Sequence, residues 1–305
     1  MIFSASRRTD IPTWYAEWLC NRLASGSVCV RHNVRVTRWR FTRESVDCLA
    51  LWTKNPLPLL EPKRTAFLRE WPCAFQFTLT GYGADVEPGL PDKRLLLEAF
   101  AALADVFGAD RMVWRYDPVF FGDAYPSSRH AALFKALAKR LQGHTRTCVI
   151  SFLDAYPKLR RRLSPLGVRE SGADERRTLV ARLAETAARC GMSLRLCAEA
   201  LDVPGVGHGG CLDRAFVEGA AGCRLDVRPS RQRTLCRCAA SLDIGVYGSC
   251  GNGCLYCYAN GDGTPVGRGS PFHDPASPLL VGRLAPEDEV TERRCVSLKS
   301  RQLSL

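Results

Sequence analysis

Three cysteines near the end of the chain, Cys250, Cys254 and Cys257, stand at a C-x3-C-x2-C spacing in the run Cys250-Gly-Asn-Gly-Cys254-Leu-Tyr-Cys257-Tyr. The glycines between the first two let the backbone wrap around an inorganic core. Three thiolates can hold three irons of a four-iron cluster and leave the fourth iron open to a small ligand. Zinc sites ordinarily gather four ligands, as two CxxC pairs or a Cys/His set. A zinc knuckle that borrows Cys236 or Cys238 from the nearby C-x-C is therefore the alternative.

The chain holds fifteen cysteines in 305 residues. Its start, MIFSASRRTD, lacks the apolar stretch of a secretory signal, and no apolar run approaches the roughly 18 residues of a membrane span. A cytoplasmic protein without membrane attachment is expected. A reducing compartment argues against a disulfide framework, so some cysteines should bind metal and others pack in the core. Cys236 with Cys238 form a candidate auxiliary site, to which Cys211 or Cys197 could add a thiolate. Cys197, inside the strand-like SLRLCAE, is read as core. His208 and Cys211, in GHGGC, are candidates for metal or substrate contact. The cysteines at 20, 29, 48, 73, 148, 190 and 295 lack metal spacing and read as small buried hydrophobes.

With 46% hydrophobic and 24% charged residues the chain can bury a substantial core. The net charge of +12 favours anionic partners such as nucleic acid, phosphorylated substrates or an anionic cofactor. Arginines scattered at positions such as 38, 40, 160, 161 and 162 explain that charge equally well as a solvated face.

The elements that must position these residues alternate. Short apolar runs (2–6, 46–53, 73–80, 111–117, 146–152 and 193–199) are each followed by a helical pattern or a turn-rich stretch, the helices falling near 12–25, 56–71, 92–108, 127–143 and 174–191. Leu95, Leu96, Phe100 and Leu103 illustrate the helical spacing. Strand alternating with helix predicts a parallel sheet of the α/β class, open or closed into a TIM-like (β/α) barrel. Residues 31–45 predict a β-hairpin excursion, and 241–248 (SLDIGVYG) one more strand leading into the cysteine loop. Residues 1–262 are expected to form one barrel-like domain, including a Cys-rich segment at 205–262. Residues 263–305 are expected to be a tail, disordered toward its end. GDGTPVGRG (261–269) lacks the spacing of a phosphate loop.

Polar residues gather where such a fold puts chemistry, at the carboxyl ends of strands. Arg7, Arg8 and Asp10 follow the first strand, Thr53 and Lys54 the second, Arg115 and Asp117 the fourth, and Glu199 the sixth. Lys54, Arg115 and Asp117 are the catalytic candidates. Arg115 and Asp117 could equally pair with each other.

With Tyr256 just before its third cysteine, the motif resembles that of the radical S-adenosylmethionine (SAM) superfamily. The resemblance implies a [4Fe-4S] cluster that binds SAM and releases a 5′-deoxyadenosyl radical, with an external reductant such as flavodoxin or ferredoxin. That superfamily places the motif after its first barrel strand, whereas only 48 residues follow Cys257 here. A circularly permuted barrel would reconcile the two. The segments SASRRTDIP (4–12), WTKNP (52–56), FTLTG (77–81), EPGLPDKRL (87–95) and WRYDP (114–118) are similar to the post-cluster strands of spore-photoproduct-lyase-like members. That similarity implies that Lys54 meets the SAM carboxylate, that Thr78 or Thr80 contacts the methionyl or ribose part, and that Ser6, Thr9, Asp10 and Tyr256 line the SAM pocket. Across residues 1–260 the chain also resembles the domain-of-unknown-function family 1848, which brings no substrate with it. Nucleic acid enters as a substrate candidate by analogy with the photoproduct lyases. The alternatives are a non-catalytic or electron-transfer iron–sulfur protein and a zinc-stabilised nucleic-acid-binding protein.

Overall fold

The computed structural model describes residues 1–154, 156–230, 235–261 and 264–300. In chain order the elements are β1 (Ile2–Ala5), α1 (Ile11–Trp14), α2 (Ala16–Ser25), β2 (Ser27–His32), β3 (Arg35–Arg40) and β4 (Cys48–Thr53). Next come α3 (Pro62–Leu68), β5 (Cys73–Thr78), α4 (Lys93–Phe107), β6 (Met112–Val119), α5 (Ser127–Leu141) and β7 (Thr147–Phe152). The chain continues through α6 (Arg160–Leu163), α7 (Ala173–Arg189), β8 (Ser193–Leu196), β9 (Gly207–His208), α8 (Arg214–Ala221), β10 (Leu242–Asp243) and β11 (Glu289–Arg294).

Eight strands form one all-parallel sheet in the order β10-β1-β4-β5-β6-β7-β8-β9, giving an α/β, barrel-like fold. The strand that leads into the cysteine loop thus pairs with the first strand of the chain. At the other edge, the segment leaving β9 meets the segment entering β10, where Ala239 N donates to Leu212 O at 2.7 Å.

Side chains on a strand alternate between faces, and here that period of two divides the apolar residues into two cores. Phe3, Leu49, Leu51, Phe75, Phe77, Trp114, Tyr116, Ile150, Leu194 and Leu196 face the helices. There Trp114 stacks on Phe134 of α5 with centroids 4.6 Å apart. Helix α4 contributes Leu96, Phe100 and Leu103, while Leu95 lies off that face and is exposed. Burying each large apolar side chain contributes roughly 1.5–3 kcal/mol.

The alternate positions form the inner core. Near the strand starts they are small or apolar: Ile2, Cys48, Ala74, Val113 and Val149. Two to four residues further along the same face come Ser4 and Ser6, Gln76 and Thr78, Arg115 and Asp117, and Ser151. The inner face therefore changes from apolar to polar toward the carboxyl ends, where a site can form. Helix α8 packs against β4, β5 and the turn before β6, and its Val217 and Ala220 join the inner core at the starts of the strands.

Several expectations are corrected. The predicted strand 241–248 is only Leu242–Asp243, because Asp243 is committed to capping the end of β1 rather than to a longer ladder. The predicted helix over 56–71 splits into a 3-10 turn at Leu57–Leu60 and α3, with Pro62 at the first position of α3. The Gly- and Cys-rich stretch, read as irregular, contains α8, capped by Asp213, which accepts from Phe216 N at 2.8 Å. The hairpin expected at 31–45 is β2–β3, spanning Ser27–Arg40 and turning at Asn33 with φ +54°. The segment expected as a tail supplies β11, which pairs parallel with β3 in a second, three-stranded sheet. It also returns to the amino terminus, where Met1 N donates to Val296 O at 3.0 Å and Leu298 N to Asp47 Oδ2 at 2.7 Å. Residues 301–305, where disorder is expected, and part of GDGTPVGRG lie outside the described residues, as do residues 231–234 of the basic segment before Cys236.

Candidate functional site

The cysteine loop follows β10 and lies across the carboxyl ends of the strands. Asp243 starts it: its carboxylate accepts from Ser6 Oγ at 2.5 Å, Arg7 N at 3.0 Å and Gly245 N at 3.0 Å. Residue 245 must be glycine, because a Cβ there would collide with the Ser6 side chain. The loop is then tied to the amino-terminal half. Asn252 Nδ2 donates to Asp10 Oδ2 at 3.0 Å, and Trp14 Nε1 donates to Asn252 Oδ1 at 2.9 Å. Tyr15 donates to Ser249 O at 2.5 Å, and Leu255 N to Val86 O at 3.0 Å. From the opposite side Arg162 Nη2 donates to Cys257 O at 3.0 Å, and Asn260 Nδ2 donates to Cys250 O at 2.7 Å.

Cys250, Cys254 and Cys257 line one cavity of about 640 Å³ together with Ser6, Thr9, Asp10, Lys54, Thr78, Arg115, Asp117 and Tyr256. That volume lies within the ~300–1,000 Å³ usual for small-molecule sites. Among the described residues, the buried polar atoms of the cavity lining that have no protein partner include Thr9 Oγ1, Trp52 Nε1, Arg115 Nη1 and Asn260 Oδ1. Buried donors and acceptors are normally satisfied, so these four mark places for a ligand's polar groups or water. The Arg7 and Arg115 guanidinium carbons lie 5.4 and 5.1 Å from the Trp52 ring centroid.

Lys54, Glu87 and Tyr256 form a buried polar cluster beside Cys254. Lys54 Nζ donates to Glu87 Oε1 at 2.9 Å and to the Tyr256 hydroxyl at 2.6 Å, and Tyr256 and Lys93 also donate to Glu87. Burial by itself would raise the Glu87 carboxyl, but the flanking Lys54 and Lys93 outweigh it and hold Glu87 at about 2. Burial likewise works against the Lys54 charge, and Glu87 reverses the effect, keeping that ammonium above its ordinary value. Burial pushes the Cys250 thiol up to about 12 and Cys254 well above the usual thiol range. Metal or another cation must therefore compensate these sulfurs before both ionise.

Four more cysteines, 197, 211, 236 and 238, line the same cavity. Cys197 and Cys211 have sulfurs 2.9 Å apart. Cys211 is held well below the usual thiol range by thiol hydrogen bonds from Cys197 and Cys238, with Arg115 beside it. All fifteen cysteines are free thiols. Among the described residues, no group of three or more His, Cys, Asp or Glu stands as a finished cage for a metal ion.

The expected residues distribute as follows. Ser6, Thr9, Asp10, Lys54, Thr78 and Tyr256 reach the cavity, whereas Thr80 is buried outside its lining. Asp10 is also tied to the chain around it: its Oδ2 accepts from Lys54 N at 2.7 Å and from Asn252, and its Oδ1 from Thr13 N at 3.1 Å. Lys54, which the resemblance sets to meet the SAM carboxylate, is paired with Glu87. Arg115 pairs with Asp117, and Asp117 also accepts from Ser151. Glu199 accepts from Phe152 N at 2.7 Å and caps β7 from outside the cavity lining. Cys197, read as core, is buried in the inner core and also borders the cavity. His208 pairs with Asp202 at 3.0 Å, away from the cavity. Glu87, Trp52, Asn252, Asn260 and Asp243 were missed. Glu87 heads EPGLPDKRL (87–95) and Trp52 heads WTKNP (52–56), so both lay within segments singled out by resemblance without being named themselves.

No curated protein matches the sequence. Among solved structures, a His-tagged D-allulose 3-epimerase from Methylomonas sp. is similar at 12% identity and a TM-score of 0.29, over 68% of this chain and 55% of that one. This chain thus spans about half the length of that enzyme. A family model described as a domain of unknown function, DUF1848, matches residues 2–259, and the chain belongs to that family.

Proposed function

We propose that the protein is a radical SAM-type enzyme, with a [4Fe-4S] cluster held by Cys250, Cys254 and Cys257 and SAM bound beside it in the 640 Å³ cavity. The observation that carries this reading is that all three cysteines line one cavity at the carboxyl ends of the parallel strands, next to buried polar atoms that have no partner among the described residues. The donor set fits: three thiols on a Gly-containing loop can satisfy three irons and leave one open. When bound, the reduced cluster supplies one-electron cleavage of SAM and, through the 5′-deoxyadenosyl radical, hydrogen abstraction from a substrate. An external one-electron donor of the flavodoxin or ferredoxin type completes the scheme.

The chain's own residues hold and shield. Asp10, Asn252, Arg162 and Asn260 fix the loop backbone so that the three thiols keep their spacing. Lys54 places a positive charge beside Cys254 and shares it with Glu87, so a ligand carboxylate would join that pair rather than meet a free ammonium. Thr9 Oγ1, Trp52 Nε1 and Asn260 Oδ1 are the groups proposed to meet polar atoms of SAM or substrate.

On this reading the sheet is a (β/α) barrel whose cluster-bearing strand, β10, comes last in sequence but first in the ring. Its parallel pairing with β1 and the Ala239–Leu212 hydrogen bond at the other edge support that order.

The test is 5′-deoxyadenosine formation. Anaerobically reconstituted, dithionite-reduced protein is expected to convert SAM to 5′-deoxyadenosine, and a Cys250/Cys254/Cys257→Ala variant to lose this. Iron-loaded protein that leaves SAM intact would overturn the proposal.

A further inference from the structure

We infer that Cys197, Cys211, Cys236 and Cys238 form a second thiolate-held metal centre on the wall of the same cavity. It would take a soft, thiolate-seeking centre, either an iron–sulfur cluster or zinc.

Three distant segments deliver these thiols to one place. Cys197 directly follows β8, Cys211 follows β9, and Cys236 and Cys238 come from the C-x-C that precedes β10. The approach is built into the backbone. A Cβ on Gly210 would lie 2.6 Å from Arg237 O and 2.8 Å from Cys238 N, so only glycine lets the two segments touch. Ala239 N donating to Leu212 O at 2.7 Å locks them together, and Gln76 Nε2 donates to Cys211 O at 2.5 Å from β5. The result is a sulfur–sulfur contact of 2.9 Å between Cys197 and Cys211, buried where the inner core borders the cavity.

Charge and space agree with metal binding. Thiolates need a compensating cation, and the Arg115 guanidinium lies beside Cys211. The thiol contact is tighter than metal ligation allows: two thiolates on one tetrahedral zinc, each about 2.3 Å from it, stand about 3.7 Å apart. The side chains as they stand do not form a finished cage. Metal would replace the shared thiol protons and spread the sulfurs into the cavity, releasing one proton from each thiol that ligates. With four thiolates available, the centre can be closed to further ligands, which suits an electron relay or a structural tie between β8 and β10.

This inference stands apart from the reading of the Cys250 loop and fails separately from it. After anaerobic reconstitution, the Cys250/Cys254/Cys257→Ala variant is expected to retain about half of the wild-type iron and sulfide, or about one zinc per chain. Adding Cys211→Ser and Cys238→Ser should remove that metal. A triple variant that folds and holds no iron or zinc overturns the inference. Should the variant not fold, anomalous diffraction at the iron and zinc edges from crystals of the metal-loaded wild-type protein decides. A peak bonded to the sulfurs of Cys197, Cys211, Cys236 and Cys238 supports the second centre. Its absence overturns it, whatever is found at the Cys250 loop.

Discussion

The side-chain amide of Asn252 donates to Asp10 Oδ2 at 3.0 Å, joining two residues 242 positions apart. Asp10 also takes Lys54 N and Thr13 N, so one buried carboxylate fixes the first turn of the chain, the end of β4 and the cysteine loop. Burial raises the Asp10 carboxyl, and these donors oppose the effect. The loop's position thus depends on the amino terminus of the chain.

Replacing Asp10 removes that hub. Asp10→Ala leaves buried donors on Asn252 and Lys54 unmatched, at about 1–3 kcal/mol each. The expected outcome is a lower thermal midpoint and cysteine-loop peptides that exchange amide hydrogens faster than the strands. Hydrogen-exchange mass spectrometry checks this. Unchanged protection of 249–257 would show that the loop is held otherwise.

Glu87→Gln leaves Lys54 and Lys93 without their shared counter-charge. Breaking a buried ion pair from one side costs about 3–5 kcal/mol. A large drop in urea midpoint is expected, whereas Glu292→Gln, on an exposed pair with Arg38 and Arg40, should leave the midpoint nearly unchanged.

The same carboxylate sets an acid limb of stability. Glu87 sits at about 2 in the folded chain, below its ordinary 4.5, so the native state binds its proton more weakly than the unfolded chain. Its contribution is complete above pH 4.5 and declines as the pH falls toward 2, by up to ~3 kcal/mol. Urea midpoints measured through that window should fall steeply in the wild type and more gently in Glu87→Gln. Parallel curves would place the acid sensitivity elsewhere.

Two glycine substitutions should act in opposite directions. A Cβ on Gly89 would lie 2.7 Å from the carbonyl oxygens of Gly251 and Asn252, so Gly89→Ala must push the cysteine loop outward. Gly219 lies within α8 with open space at its Cβ, so Gly219→Ala should stabilise the chain by up to about 1 kcal/mol. Thermal melts of the two variants read the signs directly.

Much of this was legible in the sequence because the strands are apolar runs too short for helices, spaced by helical patterns. CLALWT and CAFQFT place successive residues on opposite faces, and the polar ends at Lys54, Thr78 and Arg115 fall where the cavity opens. What was hidden depends on tertiary partners. The strand β10 is two residues long and exists because β1 pairs with it. In β11, EVTERR shows no apolar alternation, and its pairing with β3 is accompanied by ion pairs from Glu292 to Arg38 and Arg40. Cys197 is buried in the core as read, and what spacing could not show is that this part of the core also borders the cavity. Sequence spacing also could not show that Glu87 occupies the Lys54 ammonium.

The most direct test of the central claim is electron paramagnetic resonance of the anaerobically reconstituted, reduced protein with and without SAM. The account predicts a four-iron cluster signal with a component that changes when SAM is added, and loss of that component in the Cys250/Cys254/Cys257→Ala variant. A spectrum indifferent to SAM, or a protein that takes up zinc alone, would contradict it.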